Sequence, residues 1–276
     1  MRDQGHIFPL PRDVAIIIGR QEFVVKYAAG KRVLHLGCVD EGSTEQKYER
    51  GQLLHARLQK NTRELWGVDV NAEGLQWMQD HGFPNLYLAD IEDLSTVPEL
   101  NGQSFDLILL SEVMEHLDNP GRFLQGVRFL FGPDTELLIT VPNATSLANL
   151  LMNWQLKELV HPDHNYWFSL HTLTTLLGKF GYRVTFTAVY SQHDFRRSIV
   201  GHLRQRWLGR HPMQQSTHSE PGVPDAMPDE IHQKKLRMPN VRGWIQAVRT
   251  TLTYRRYLKR NPFFADGLIV IARPEE

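Results

Sequence analysis

The chain has 276 residues, 41% hydrophobic and 22% charged, with no formal net charge and one cysteine, Cys38. This composition supports a sizeable core, excludes an internal disulfide and suits a reducing compartment. No run approaches the roughly 18 apolar residues of a membrane span, and residues 14–18 are too short, and too closely flanked by Arg12, Asp13 and Arg20, for a signal peptide; the expected location is cytoplasmic, or peripheral at a membrane surface.

Residues 1–30 read as an N-terminal helical segment. Its helix is predicted over 12–29, where Ile16, Ile17, Phe23, Val24 and Tyr27 recur at three- and four-residue spacing before Gly30. Strands are predicted at 33–37, 65–69, 85–88, 105–110 and 135–141, with helices at 50–60, 72–80 and 120–130 between them. Such alternation predicts an α/β fold with a parallel sheet covered on both faces. A helix at 171–180 follows, then a strand from Tyr182 to Tyr190, and a closing strand lies within 265–272. The core therefore runs over 31–190 and is closed by 263–276, with 191–262 inserted.

The insertion is basic. It holds 14 Lys or Arg against five acids, a net +9 balanced by −9 elsewhere. Residues 211–230 carry four prolines and read as a loop, whereas 231–260 read as helix. A lid, a protein interface, a contact for an anionic lipid surface or nucleic acid, and a simply solvated helix pair are all open readings.

Ligands of doubly wound sheets bind outside the carboxyl ends of the strands. Gly37, Asp69, Asp90 and Ser111 stand at four such ends, so one crevice is expected to collect them. An apolar run ending at Gly37 suits a tight turn where backbone approaches a ligand. A run tipped by Asp69 suits a nucleotide-type site, in which the acid accepts from ribose hydroxyls; the rival reading is an acid capping the next helix.

Glu112, Glu115 and His116 are spaced i, i+3, i+4, which on a helix places them on one face. With His164, from 163–167, they offer two carboxylates and two imidazoles, a donor set for a divalent ion. The rival reading is a solvated helix face, with His116 or His164 left as general base. His161, before Pro162, is a weaker candidate. Asn143 either meets substrate or forms an Asx turn. Tyr166, Trp167 and Phe168 either wall an acceptor pocket or pack in the core, and His55 reads as structural.

In this order, the segments 33–38, 67–69, 85–94, 105–117, 139–143 and 163–169 resemble the class I S-adenosylmethionine (SAM)-dependent methyltransferases, type 11/23, a group that includes ubiquinone-biosynthesis O-methyltransferases. The resemblance covers about residues 30–190 and the last strand. It implies a Rossmann-like, seven-stranded, mostly parallel sheet with the basic, mainly helical insertion before the last strand. It also implies SAM bound by His35, Gly37, Cys38, Asp69, Asp90, Ile91 and Ser111. Asp69 would hold the ribose, Asp90 and the Ile91 N–H the adenine edge. Two positions depart from the family's first motif: His35 replaces an acid and Val39 a glycine. Glu112, Glu115, His116 and His164 also resemble the divalent-ion ligands of plant small-RNA 2′-O-methyltransferases, which implies Mg or Mn beside the acceptor hydroxyl. The expected activity is O-methylation of a small or sugar-like hydroxyl compound. RNA 2′-O-methylation, and a degenerate fold that serves as a binding partner, are the alternatives.

Overall fold

A computed structural model describes residues 6–192, 254 and 256–275. One eight-stranded sheet organises them: β1 (Ala15–Ile18), β2 (Arg32–Leu36), β3 (Glu64–Asp69), β4 (Leu86–Leu88), β5 (Phe105–Ser111), β6 (Phe131–Pro142), β7 (Tyr182–Ser191) and β8 (Gly267–Pro274). The order is β1-β7-β8-β6-β5-β2-β3-β4. Every neighbouring pair is parallel except the two made by β8, which runs antiparallel to β6 and β7. The helices are α1 (Arg20–Ala28), α2 (Thr44–Glu49), α3 (Leu54–Gln59), α4 (Ala72–Asp80), α5 (Pro120–Gly126), α6 (Leu147–Trp154) and α7 (Leu170–Lys179).

Successive residues of a strand point to opposite faces. Leu107, Ile108, Leu109 and Leu110 are all fully buried, so both faces of the central strands are covered. On one face Leu107 and Leu109 pack with Val24 and Ala28 of α1 and Leu54 and Leu58 of α3. This is why the central strands read as continuous apolar runs without alternation.

The sheet has eight strands where seven were expected. The additional one lies inside the segment read as a helix over 12–29. Residues 15–18 pair in parallel with the end of β7, and Gly19, at φ 81°, turns the chain into α1. A strand of alanine and three isoleucines before a left-handed glycine is a strand followed by a turn, and the mixed apolar spacing concealed it. Of the helix expected at 50–60 only Leu54–Gln59 (α3) forms; Gly51, at φ 65°, breaks the chain between it and the preceding α2.

Residues 193–253 and 255, which carry most of the expected basic insertion, lie outside the described residues; residues 256–260 are helical. The ends of this excursion meet at the sheet. Tyr190 pairs with Gly267 across β7 and β8. The Asp266 carboxylate accepts from the Ser191 hydroxyl at 3.1 Å and the Gln192 N–H at 2.8 Å. Among the described residues no helix is long and apolar enough to cross a membrane.

Candidate active site

A cavity of about 830 Å³ opens at the carboxyl ends of β2, β3 and β5. That volume lies within the range of about 300–1,000 Å³ for small-molecule sites. His35, Gly37, Cys38, Asp69, Asp90, Ile91 and Ser111 all line it, as do Glu112, Glu115, His116 and His164. Arg20 and His161 line it too.

The turn after β2 carries the first wall. Gly37 adopts φ 71°, and an added Cβ would collide with the Val113 side chain, so glycine serves both the turn and the close approach of the next strand's tip. Val39 is accommodated because its side chain lies against the bare Cα of Gly74 in α4. Asp69 fastens this turn to β3. Its two carboxylate oxygens accept from Val39 N–H at 2.8 Å and Asn71 N–H at 2.9 Å. Burial raises its pKa, and those N–H groups oppose the rise. Each oxygen keeps a lone pair for a ligand. Asp90 accepts from Glu92 N–H at 2.8 Å and so caps a short 3₁₀ turn over Ile91–Thr96, while its residue borders the cavity.

His35 is buried and sits Nδ1 to Nδ1 at 3.2 Å from His55, with the rings stacked. Burial lowers both pKa values, His35 well below the usual range and His55 to about 3, so the pair is neutral. The structural reading of His55 is thereby given a partner: it holds the His35 ring in place.

At the tip of β5 the expected helix face is absent. Glu112 is left-handed, at φ 59°, Val113 has φ −133°, and only Met114–His116 make a 3₁₀ turn. Glu112, Glu115 and His116 therefore do not share a face. The Glu112 carboxylate is engaged by its neighbours, accepting from Tyr190 Oη at 2.8 Å and Thr140 Oγ1 at 2.9 Å. Arg20 Nη1 lies 3.7 Å from it, and donates to Ser111 Oγ at 2.6 Å. The ladder hydrogen bond from Glu112 N–H to Thr140 O sets this conformation. Glu115 is 1% exposed, and neither carboxyl oxygen has a hydrogen-bond partner. Burial, and then the Glu112 charge, push its pKa up to about 8.

His116 meets the loop after α6. His116, His161 and His164 each offer a ring nitrogen, and these atoms lie within 4.8 Å of one another. The ring centroids of His116 and His164 are 4.5 Å apart. Asn165 staples the two loops together. Its side-chain amide donates to His116 O at 3.0 Å, Leu117 O at 3.3 Å and Asp118 Oδ1 at 3.2 Å, and its N–H donates to Glu115 O at 2.8 Å. Burial lowers the pKa of both His116 and His164. The expected Glu112, Glu115, His116, His164 ligand set is thus not the one that converges: His161 joins the two histidines, and Glu112 is engaged elsewhere.

Arg20 and Tyr190 are site residues the sequence reading passed over. The signal for Arg20 was its place after Gly19 at the end of a β-branched run. Tyr190 lies one residue before the end of β7, and an added Cβ at its partner Gly267 would collide with the ring. Asn143 is an internal brace: its amide donates to Phe263 O and Ala265 O, and its Oδ1 accepts from Thr145 N–H in an Asx turn. Tyr166, Trp167 and Phe168 line a separate groove of about 530 Å³ against α7.

Residues 16–186 match a family described as methyltransferase domain. Among curated proteins, the ubiquinone biosynthesis O-methyltransferase of Haemophilus ducreyi is 25% identical over 148 residues, 50% of this chain and 58% of that protein. The mitochondrial ubiquinone biosynthesis O-methyltransferase of Rattus norvegicus is 28% identical over 131 residues, 46% of this chain and 35% of that one. The chain thus spans less than two thirds of the curated relatives it matches. A crystal structure of a SAM dependent methyltransferase from Archaeoglobus fulgidus aligns over 92% of this chain and 90% of that one, with a TM-score of 0.50 and 20% identity, a likeness of fold.

Proposed function

The chain belongs to the methyltransferase domain family, and from that premise we propose that it transfers the methyl group of SAM to a hydroxyl oxygen of a small or sugar-like acceptor. One observation carries the reading: a single cavity joins the strand-tip carboxylates Asp69 and Asp90 to the histidines His116 and His164.

The residues fit SAM by their donor and acceptor chemistry. Asp69 retains lone pairs for two ribose hydroxyls. Asp90 with the Ile91 N–H suits an adenine edge, an acceptor beside a donor. Gly37 and Cys38 give backbone approach. Arg20, fixed by Ser111, puts a guanidinium in the cavity suited to a carboxylate such as that of a methionine end. His35 meets the ligand with a neutral ring. When bound, SAM supplies a methyl group already activated by its sulfonium.

The chain's own work is then positioning and proton handling. His116 and His164 meet the acceptor hydroxyl and make its proton easier to remove. The Asn165 staple ties the loops that carry both histidines together, which would help to hold the acceptor in one orientation.

Calorimetry with SAM and its demethylated product tests the cofactor half. Asp69→Ala is expected to weaken binding by about 1.5–3 kcal/mol, the value of hydrogen bonds to a charged group. Transfer of labelled methyl from SAM to a panel of phenolic and sugar hydroxyl compounds tests the acceptor half. Unchanged affinity in Asp69→Ala would remove Asp69 from the site, and wild-type protein that binds neither form would make the fold a binding partner only.

A further inference from the structure

His161 stood outside the ligand set that the resemblance implied, yet the fold brings it to His116 and His164. Three ring nitrogens within 4.8 Å of one another need to close in by less than about 1 Å, a small rotation of the rings, to share one ion at the usual metal–nitrogen distance of about 2.0–2.1 Å. His164 Nδ1 is buried without a hydrogen-bond partner, a cost that an ion would relieve. The outer contacts have the form found around ligating histidines. The Asp163 main chain hydrogen-bonds the His116 ring, and its carboxylate Oδ2 lies 3.7 Å from His161 Nδ1. Glu112, by contrast, is satisfied by Tyr190 and Thr140.

The geometry points to a three-imidazole metal site, His116–His161–His164, that takes a borderline transition-metal dication such as zinc rather than magnesium. Imidazole donors suit zinc and its neighbours, whereas magnesium asks for oxygen ligands in an octahedron. Three protein ligands leave a coordination position free, the pattern of catalytic rather than structural zinc. All three histidines line the cavity, so an ion they held would be placed to acidify an acceptor hydroxyl. The inference deepens the methyl-transfer reading of the same cavity, and its test keeps the two apart.

Untagged full-length protein, stripped with chelator, is titrated with zinc by competition calorimetry and with cobalt(II) in the visible spectrum. One equivalent of zinc is expected, with a cobalt spectrum of low coordination number and nitrogen ligands. His161→Ala, at an exposed residue, should weaken zinc binding at least about tenfold, since even outer-shell changes cost about 10–100-fold. Glu112→Gln should change it less than about twofold, and millimolar magnesium should not displace zinc. Zinc affinity unchanged in His161→Ala, displacement by magnesium, or no stoichiometric binding overturns the site. Asp69→Ala separates the readings: it should lose SAM affinity and keep zinc. Wild-type protein that binds zinc but not SAM leaves the ion site standing and removes the methyl-transfer reading; SAM binding without zinc does the reverse.

Discussion

Replacing Glu115 with glutamine removes a buried carboxyl that ionises in the fold only near pH 8, against 4.5 in an unfolded chain. Between those values the folded protein holds a proton that the unfolded chain has released. Stability must therefore fall as pH rises through the window, by about 1.4 kcal/mol per pH unit. The whole window amounts to a ceiling of about 4–5 kcal/mol, undiminished by solvent because the residue is 1% exposed. Glutamine has the same shape and no proton to lose, so Glu115→Gln should gain on the wild type steadily from pH 5 to 8 and level off above. The lowered histidines act with opposite sign, adding stability as pH rises toward 6.5, but both proteins share that slope. Urea denaturation at half-unit pH steps, with chelator present, measures the difference curve. Parallel curves for the two proteins between pH 5 and 8 would refute the argument, since Glu115 would then be ionised in the fold as it is outside it.

Tyr190→Phe removes the hydroxyl that donates to the Glu112 carboxylate and should cost about 1.5–3 kcal/mol in equilibrium denaturation, a cost that shrinks when Glu112→Gln is already present; an unchanged midpoint would show that the bond contributes nothing. Asn165→Ala removes three side-chain hydrogen bonds and should cost about 1–2 kcal/mol. Amide exchange should also quicken at Asn165 and Tyr166, whose N–H groups share Glu115 O, and unaltered exchange there would mean that the loops are held by something else.

Much of the sheet was legible because its causes are local. Residues 64–69 are a buried apolar run tipped by an acid, and 72–80 a helix capped by Asn71. The strand at 15–18 was missed because its pairing partner is β7, far along the chain, while Ile16 and Ile17 fit a helical spacing as well. At the site, the gathering of Gly37, Asp69, Asp90 and Ser111 follows from strand direction alone. The arrangement after Ser111 does not. The spacing Glu-x-x-Glu-His is that of a helix, but the ladder bond to Thr140 and the Tyr190 hydroxyl hold Glu112 in a left-handed conformation no spacing reveals. His161 was discounted for the proline after it. Its place beside His116 depends on Asn165 joining two loops that are distant in sequence.

The clasp made by Asp266 and the Tyr190–Gly267 pairing has an evolutionary consequence. The sheet asks only that the chain leaving β7 return to β8; it is indifferent to what happens between. Loop closure costs rise with the logarithm of length, about 0.6 kcal/mol for each doubling. Growing a tight hairpin into the excursion over residues 192–266 takes roughly four doublings, so its toll on the fold is about 2.4 kcal/mol. Sequence between these two strands is therefore free to lengthen, shorten or be exchanged at small cost to the sheet, and because β7 and β8 are joined at the carboxyl ends of the parallel strands, such changes arise at the same end of the sheet as the cavity.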